Sequence, residues 1–301
     1  MKLIDAHHHY WDLVTNNHPW LCEEPRIPFR YGDYSALCKE SMPQFMPDDY
    51  DRVSRGWKID ATVTMDGEWT PDDPAGEAIW MQQLANDTDR PAAHAAQAWL
   101  DRSDLAATLA TYRKLPIVKS VRHKPRANAK PDGPPGGMTD SAFRDGFQRL
   151  GDEGLMFELQ TPWWHFHEAI EMSQLSPHTK IIINHTGMPV DRSAAGIAGW
   201  QKALKDFSEV SNTYLKISGL GIRDKEWQLT DNHEIIRYSI DTFGSERCMF
   251  ASNFPVDGLC GSFDTIYSGF EAATSEDSTE SREALFFRTA AKVYGIDTDK
   301  L

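Results

Sequence analysis

Eight short apolar or β-branched runs, separated by longer amphipathic stretches, constrain this chain more than any other feature. The runs fall at 2–6, 61–65, 94–99, 117–121, 155–160, 180–184, 213–218 and 247–251. Helical patterns lie between them at 48–57, 75–89, 104–115, 140–152, 165–174, 197–210 and 231–243, with a last one at 278–294. Many begin at Asp or Ser, the residues that satisfy a helix's first free N–H groups. Strand–helix alternation requires parallel crossovers, and eight parallel strands close into a (β/α)8 barrel. A chain of 301 residues fits that architecture as a single domain, 1–301. An open doubly wound sheet is the competing arrangement, but no Gly-x-Gly-x-x-Gly turn follows the first strand.

Two irregular segments interrupt the pattern. Residues 15–47 follow the first strand and are rich in Pro and aromatics. Residues 124–139 follow the fourth and hold four Pro and three Gly. Long loops after strands 1 and 4 belong to the active-site face of a barrel, as walls or lids. Tryptophans in His18-Pro19-Trp20 and Pro162-Trp163-Trp164 suit a pocket wall. With 31 Lys and Arg against 45 Asp and Glu, the net charge of −14 disfavours nucleic acid and anionic lipid as partners. No apolar run approaches the ~20 residues of a transmembrane helix, and a signal-peptide pattern is missing. Cys22, Cys38, Cys248 and Cys260 lack CxxC spacing and read as reduced thiols. The expectation is a cytoplasmic protein with a small-molecule substrate; nothing in the sequence specifies an oligomeric state.

Polar residues gather at the carboxyl ends of the strands. On strand 1, alternation puts His7 and His9 on one face and His8 on the other. Arg122 and His123 end strand 4, Glu158 and Gln160 lie on strand 5, and His185 follows strand 6. Lys216 and Ser218 lie on strand 7, and Asn253 follows strand 8, with Asp257 just beyond. In a closed barrel these ends surround one mouth. Lys216 lies mid-strand, where a buried cation needs a carboxylate such as Glu158, a structural role.

Taken in order, Asp5-Ala6-His7-His8-His9-Tyr10-Trp11, Val121-Arg122-His123, Ile183-Asn184-His185-Thr186-Gly187-Met188-Pro189, Leu215-Lys216-Ile217-Ser218-Gly219-Leu220 and Phe250-Ala251-Ser252-Asn253-Phe254-Pro255 resemble one family. It is the amidohydrolase superfamily, in its TIM-barrel branch containing sugar lactonases and 2-pyrone-4,6-dicarboxylate lactonase. The resemblance spans nearly the whole chain and implies a barrel that hydrolyses a small ester, most often a lactone. His7, His9 and His185 then match the family's histidines. Asn253 stands where the family usually has the aspartate that deprotonates the attacking water.

An asparagine amide cannot take that proton and is a weaker, neutral ligand. Asp257 is the candidate replacement base, with Asn253 as orienter; Glu158 is a further candidate. His7, His9 and His185 would hold a divalent metal, zinc foremost, through three nitrogens with a position left for water. Lactonases of this branch that work without a metal imply the other option, in which the histidines bind the carbonyl directly. The sequence leaves both open. Arg122 and His123, with Gln160, Trp163 and Trp164, are the expected substrate contacts. Two other functions compete: a metal-dependent decarboxylase of a carboxylated aromatic, and a small-molecule binder that has lost its strand-8 base.

Overall fold

The computed structural model describes residues 2–301, in which eight parallel strands follow one another around a single sheet in chain order. They are β1 (Ile4–His8), β2 (Ala61–Met65), β3 (Ala93–Gln97), β4 (Val118–His123), β5 (Met156–Leu159), β6 (Ile181–Ile183), β7 (Thr213–Ile217) and β8 (Cys248–Phe250). The helices that follow them are α1 (Pro47–Val53), α2 (Gly76–Thr88), α3 (Leu105–Tyr112), α4 (Ser141–Asp152), α5 (Phe166–Ser173), α6 (Ala194–Ser208), α7 (Leu229–Phe243) and α8 (Phe263–Ala273). All eight expected strands are present, and the architecture is a (β/α)8 TIM barrel. Among the described residues no helix is long and apolar enough to cross a membrane.

Helix α8 is not among the helices expected from the sequence. Its apolar residues Phe263, Ile266, Tyr267, Phe270 and Ala273 do repeat at helical spacing, and Ser262 Oγ caps it by accepting from Thr265 N. Ser193 and Ser278 also cap their helices. Asp104 and Asp140 stand at N-cap positions without capping, because their carboxylates pair with Arg102 and Arg126 instead. The segment read as one helix over 278–294 is broken by a π-helical turn at Ala284–Arg288. That turn buries Leu285, Phe286 and Phe287 consecutively. Phe287, Ala290, Val293 and Tyr294 then pack with Ile4, Ala6, Val63, Met156, Ile182, Met249 and Ala251 as the apolar floor of the barrel.

Strand β1 departs from simple alternation. Ile4 faces Ala61 and Asp5 faces Thr62, yet His8 faces Thr64, so Ala6 and His7 share one position opposite β2. Such a bulge re-aims the side chains beyond it. Ala6 packs into the floor, the next residue His7 lies beside His9 and His185, and His8 turns against Tyr10 and Tyr50. His7 and His9 do share a face, but the bulge is what puts both of them inside.

Seven of the eight seams are parallel ladders. The β8–β1 seam is closed by Asn253 N donating to His7 O (2.7 Å) and His9 N donating to Phe254 O (2.8 Å). Behind it, the buried Asp5 carboxylate accepts from Ser252 N (2.8 Å), Ser252 Oγ (2.6 Å) and Tyr50 OH (2.7 Å). The bonds that close the barrel therefore also place His7, His9 and Asn253.

Candidate active site

His7, His9 and His185 meet at the mouth, with ring centroids 5.3 Å apart for His7–His9 and 4.5 Å for His7–His185. All three are buried. Burial, and then neighbouring cations and imidazoles, pushes His7 and His185 well below the usual histidine range and His9 down to about 3. At neutral pH the cluster is uncharged. His9 Nδ1 lies 3.2 Å from Met65 O, a pure acceptor, so Nδ1 carries the proton and Nε2 presents a lone pair. His185 Nδ1 shares a hydrogen bond with Ser218 Oγ (3.0 Å). Neither ring nitrogen of His7 has a hydrogen-bond partner among the described residues.

Asn253 and His185 both adopt left-handed backbone conformations, φ 55° and 54°, rare for residues other than glycine. Such strain at two strand ends is a mark of functional positions. Asn253 Nδ2 donates to Asp257 Oδ1 at 2.6 Å, and Tyr31 OH donates to the same oxygen at 2.8 Å. Gly219 N also bonds this carboxylate, and burial raises its pKa above the ordinary aspartate value despite nearby Arg30. The structure thus brings together His7, His9, His185, Asn253 and Asp257.

The other half of the mouth is a charged lattice. Arg122 Nε donates to Asp66 Oδ1 (2.5 Å), its NH2 to Asp66 O (2.5 Å) and its NH1 to Gln160 Oε1 (2.9 Å). Lys124 pairs with Glu68. Beside this lattice lies a cavity of about 520 Å³ walled by Trp20, Trp69 and Trp99, with Arg122 and Lys124 on its charged side. Trp20 Nε1 (2.8 Å) and His18 Nδ1 (2.9 Å) both donate to Gly67 O, pinning the first long loop over the end of β2. That loop is a wall, as expected.

Three expected substrate contacts sit apart from the histidines. The His123 ring lines the cavity but stacks on Phe143 of α4 (4.8 Å), and its Nδ1 accepts from Leu100 N. Trp163 packs against Gly199 of α6, and Trp164 Nε1 donates to Asn128 O, holding down the loop after β4. Asp66 and Gln97 were missed, although both lie at strand ends where the same rule would have found them. Arg30 and Tyr31 had no local signal. Below the mouth, Lys216 pairs with Glu158 at 3.1 Å with both side chains fully buried, the structural pairing expected for it.

The donor set suits a divalent metal in kind. Three neutral imidazoles are available, and two have their far nitrogen engaged, as metal-bound histidines do. The unpartnered nitrogens of His7 point the same way. His7, His9 and His185 are the residues that would hold it. Among the described residues, however, no group of three or more His, Cys, Asp or Glu side chains is arranged to hold a metal ion.

The chain belongs to the amidohydrolase family, whose model matches residues 4–296. An uncharacterized Sinorhizobium fredii protein, y4mH, is 33% identical over 301 residues, spanning 98% of this chain and 99% of its own length. The L-fucono-1,5-lactonase of Burkholderia multivorans is 24% identical over 310 residues, spanning 97% of this chain and 96% of its own. Among solved structures, a Burkholderia multivorans amidohydrolase with bound zinc is similar with a TM-score of 0.80 at 22% identity, covering 99% of this chain and 100% of that one. The 2,6-dihydroxybenzoate decarboxylase from Rhizobium is similar with a TM-score of 0.66 at 12% identity, covering 99% of each chain. Hydrolase and decarboxylase share this barrel, so only the site can discriminate between them.

Proposed function

We propose that this protein hydrolyses a small lactone by direct attack of water on the carbonyl at the barrel mouth. The observation that carries the reading is Asp257. A buried carboxylate with a raised pKa, held by Asn253 and Tyr31 next to a neutral imidazole cluster, is an oriented base in place of the usual strand-8 aspartate. Asp257 takes a proton from water while the water oxygen bonds to the carbonyl carbon. His7 and His185 donate to the carbonyl oxygen, and the His9 Nε2 lone pair accepts from water or a substrate hydroxyl. The acyl–oxygen bond of the ring then breaks, and the departing oxygen takes the proton from Asp257. A divalent metal held by the three histidines would replace these imidazole hydrogen bonds and supply Lewis-acid polarisation of the carbonyl.

Among lactones, the cavity favours a hydroxylated sugar-acid lactone over a pyrone dicarboxylate. Its two cations, Arg122 and Lys124, are already paired with Asp66 and Glu68, while its tryptophans offer faces for a sugar ring. The test is acid release from L-fucono-1,5-lactone, other sugar 1,4- and 1,5-lactones and 2-pyrone-4,6-dicarboxylate, with and without added zinc. Turnover of a sugar lactone that is lost in His9→Ala is expected. A folded protein that turns over none of them overturns the proposal; carbon dioxide release from 2,6-dihydroxybenzoate would replace it with the decarboxylase.

A further inference from the structure

Arg30 lies in the connection between β1 and α1, far along the chain from any strand end. Its guanidinium carbon stacks 4.6 Å from the Tyr31 ring centroid. Its NH2 approaches within 2.8 Å of the point where a side chain on Gly219 would begin, and His185 Nδ1 comes within 2.6 Å of the same point. Gly219, at φ +63°, therefore leaves open the space in which guanidinium and imidazole lie side by side. Tyr31, from the same loop, bonds Asp257. One loop thus brings a cation and a hydroxyl to the proposed base.

Arg30 is far less engaged than its neighbour Arg122. Its NH2 stands 3.8 Å from Asp257 Oδ1, beyond hydrogen-bonding distance, and its buried NH1 has no hydrogen-bond partner among the described residues. A guanidinium has five N–H donors, and leaving a buried one unused is costly. Arg122 uses all three of its nitrogens. An idle buried donor beside the reacting groups is suited to a charge that arises only during the reaction.

We propose that Arg30 is a catalytic residue whose NH1 end receives the lactone carbonyl oxygen as it becomes the oxyanion, and then holds the product carboxylate; this rests on the lactonase reading. As the water oxygen bonds to the carbonyl carbon, its proton passes to Asp257 and the carbonyl electron pair moves onto the oxygen that Arg30 faces. When the carbonyl re-forms, the bond to the ring oxygen breaks and that oxygen leaves with the proton. The hydroxy acid then presents two carboxylate oxygens to a planar fork of donors, which gives Arg30 a second signature, product affinity.

The experiment compares the full-length wild type with Arg30→Ala, Arg30→Gln and Arg30→Lys, each checked by thermal melting. On a turned-over sugar lactone, Arg30→Ala and Arg30→Gln should lose about 100-fold or more in kcat with a smaller change in KM. Inhibition by the product acid should weaken about tenfold or more. Arg30→Lys should recover only part of the rate, since a point charge lacks the fork. Millimolar guanidinium should restore part of the activity of Arg30→Ala, a rescue that a merely structural residue does not show. Wild-type kcat and product inhibition in the Ala and Gln variants overturn the proposal, as does a loss of activity without rescue that tracks a loss of folding in all three. If the wild type hydrolyses no lactone, the lactonase reading fails separately. Calorimetric binding of L-fuconate, weakened in Arg30→Gln or unchanged, then decides whether Arg30 is an anion contact.

Discussion

Two buried polar systems lie inside this barrel, and they are built on opposite principles. Below the mouth, Glu158 accepts from Ser120 Oγ, Asn184 Nδ2, Lys216 Nζ and Tyr294 OH, so both carboxylate oxygens are fully used. At the mouth, the His7 ring has no hydrogen-bond partner among the described residues, Arg30 likewise keeps an idle donor, and His185 and Asn253 sit in strained backbone. Both systems are largely buried, although the Arg30 side chain keeps 16% of its surface exposed while Glu158 and Lys216 keep none. What separates them is satisfaction. A fully partnered buried ion pair specifies and holds structure, whereas unpartnered buried groups cost stability and persist where a ligand completes them. The difference marks which of the barrel's interior charges hold the fold and which are left for chemistry.

The largest expected effect comes from removing the unsatisfied side. His7→Leu should lower kcat/KM by about 10³-fold or more. It should leave stability to urea unchanged or raised by about 1 kcal/mol, because an orphaned polar ring is replaced by an apolar one. Parallel loss of activity and stability would erase the distinction between the two systems. Glu158→Leu should do the reverse, costing about 3–5 kcal/mol of stability by stranding Lys216. The double variant with Lys216→Met should recover much of that loss, and a denaturant titration of all three checks it.

Asp257→Asn keeps the shape of the proposed base and removes its proton affinity. We expect about 100-fold lower kcat with little change in melting temperature; unchanged kcat would move the base elsewhere in the cluster.

The smallest effect is a pH dependence of the satisfied network. Burial pushes Lys216 down to about 8 from its ordinary 10.5, although Glu158 opposes the shift. Below pH 8 both folded and unfolded chains hold the proton, so stability is flat with respect to this group. Between 8 and 10.5 the unfolded chain binds it and the folded chain does not, so stability should rise with pH. The slope is at most about 1.4 kcal/mol per pH unit. Stability curves for wild type and Lys216→Met should diverge in that window, and parallel curves would remove the shift.

Much of this was visible in one dimension. The eight strands stood out because strand and helix periodicities are local properties. The His7 and His9 pair, His185 and the Lys216–Glu158 partnership followed from knowing that barrel strand ends share a mouth and strand interiors share an axis. Asp66 and Gln97, at the ends of β2 and β3, are equally accessible to that rule. The apolar repeat of α8 was also legible. The outward turn of His123 was harder to read, because its position on β4 depends on which face the strand presents at its end, and Phe143 decides that.

The amino-acid sequence by itself therefore determined the barrel, the ring of candidate residues at its mouth and the substitution of an amide at position 253. Tertiary structure alone decided three things. The β1 bulge turned both His7 and His9 inward, the closing seam tied Asn253 to His7, and a loop carried Arg30 and Tyr31 to Asp257, 226 residues from Tyr31 along the chain. Periodicity encodes which face a residue takes within one element. The meeting of a loop side chain with a distant carboxylate depends on the whole chain's packing, where burial, and not local propensity, selects the partners.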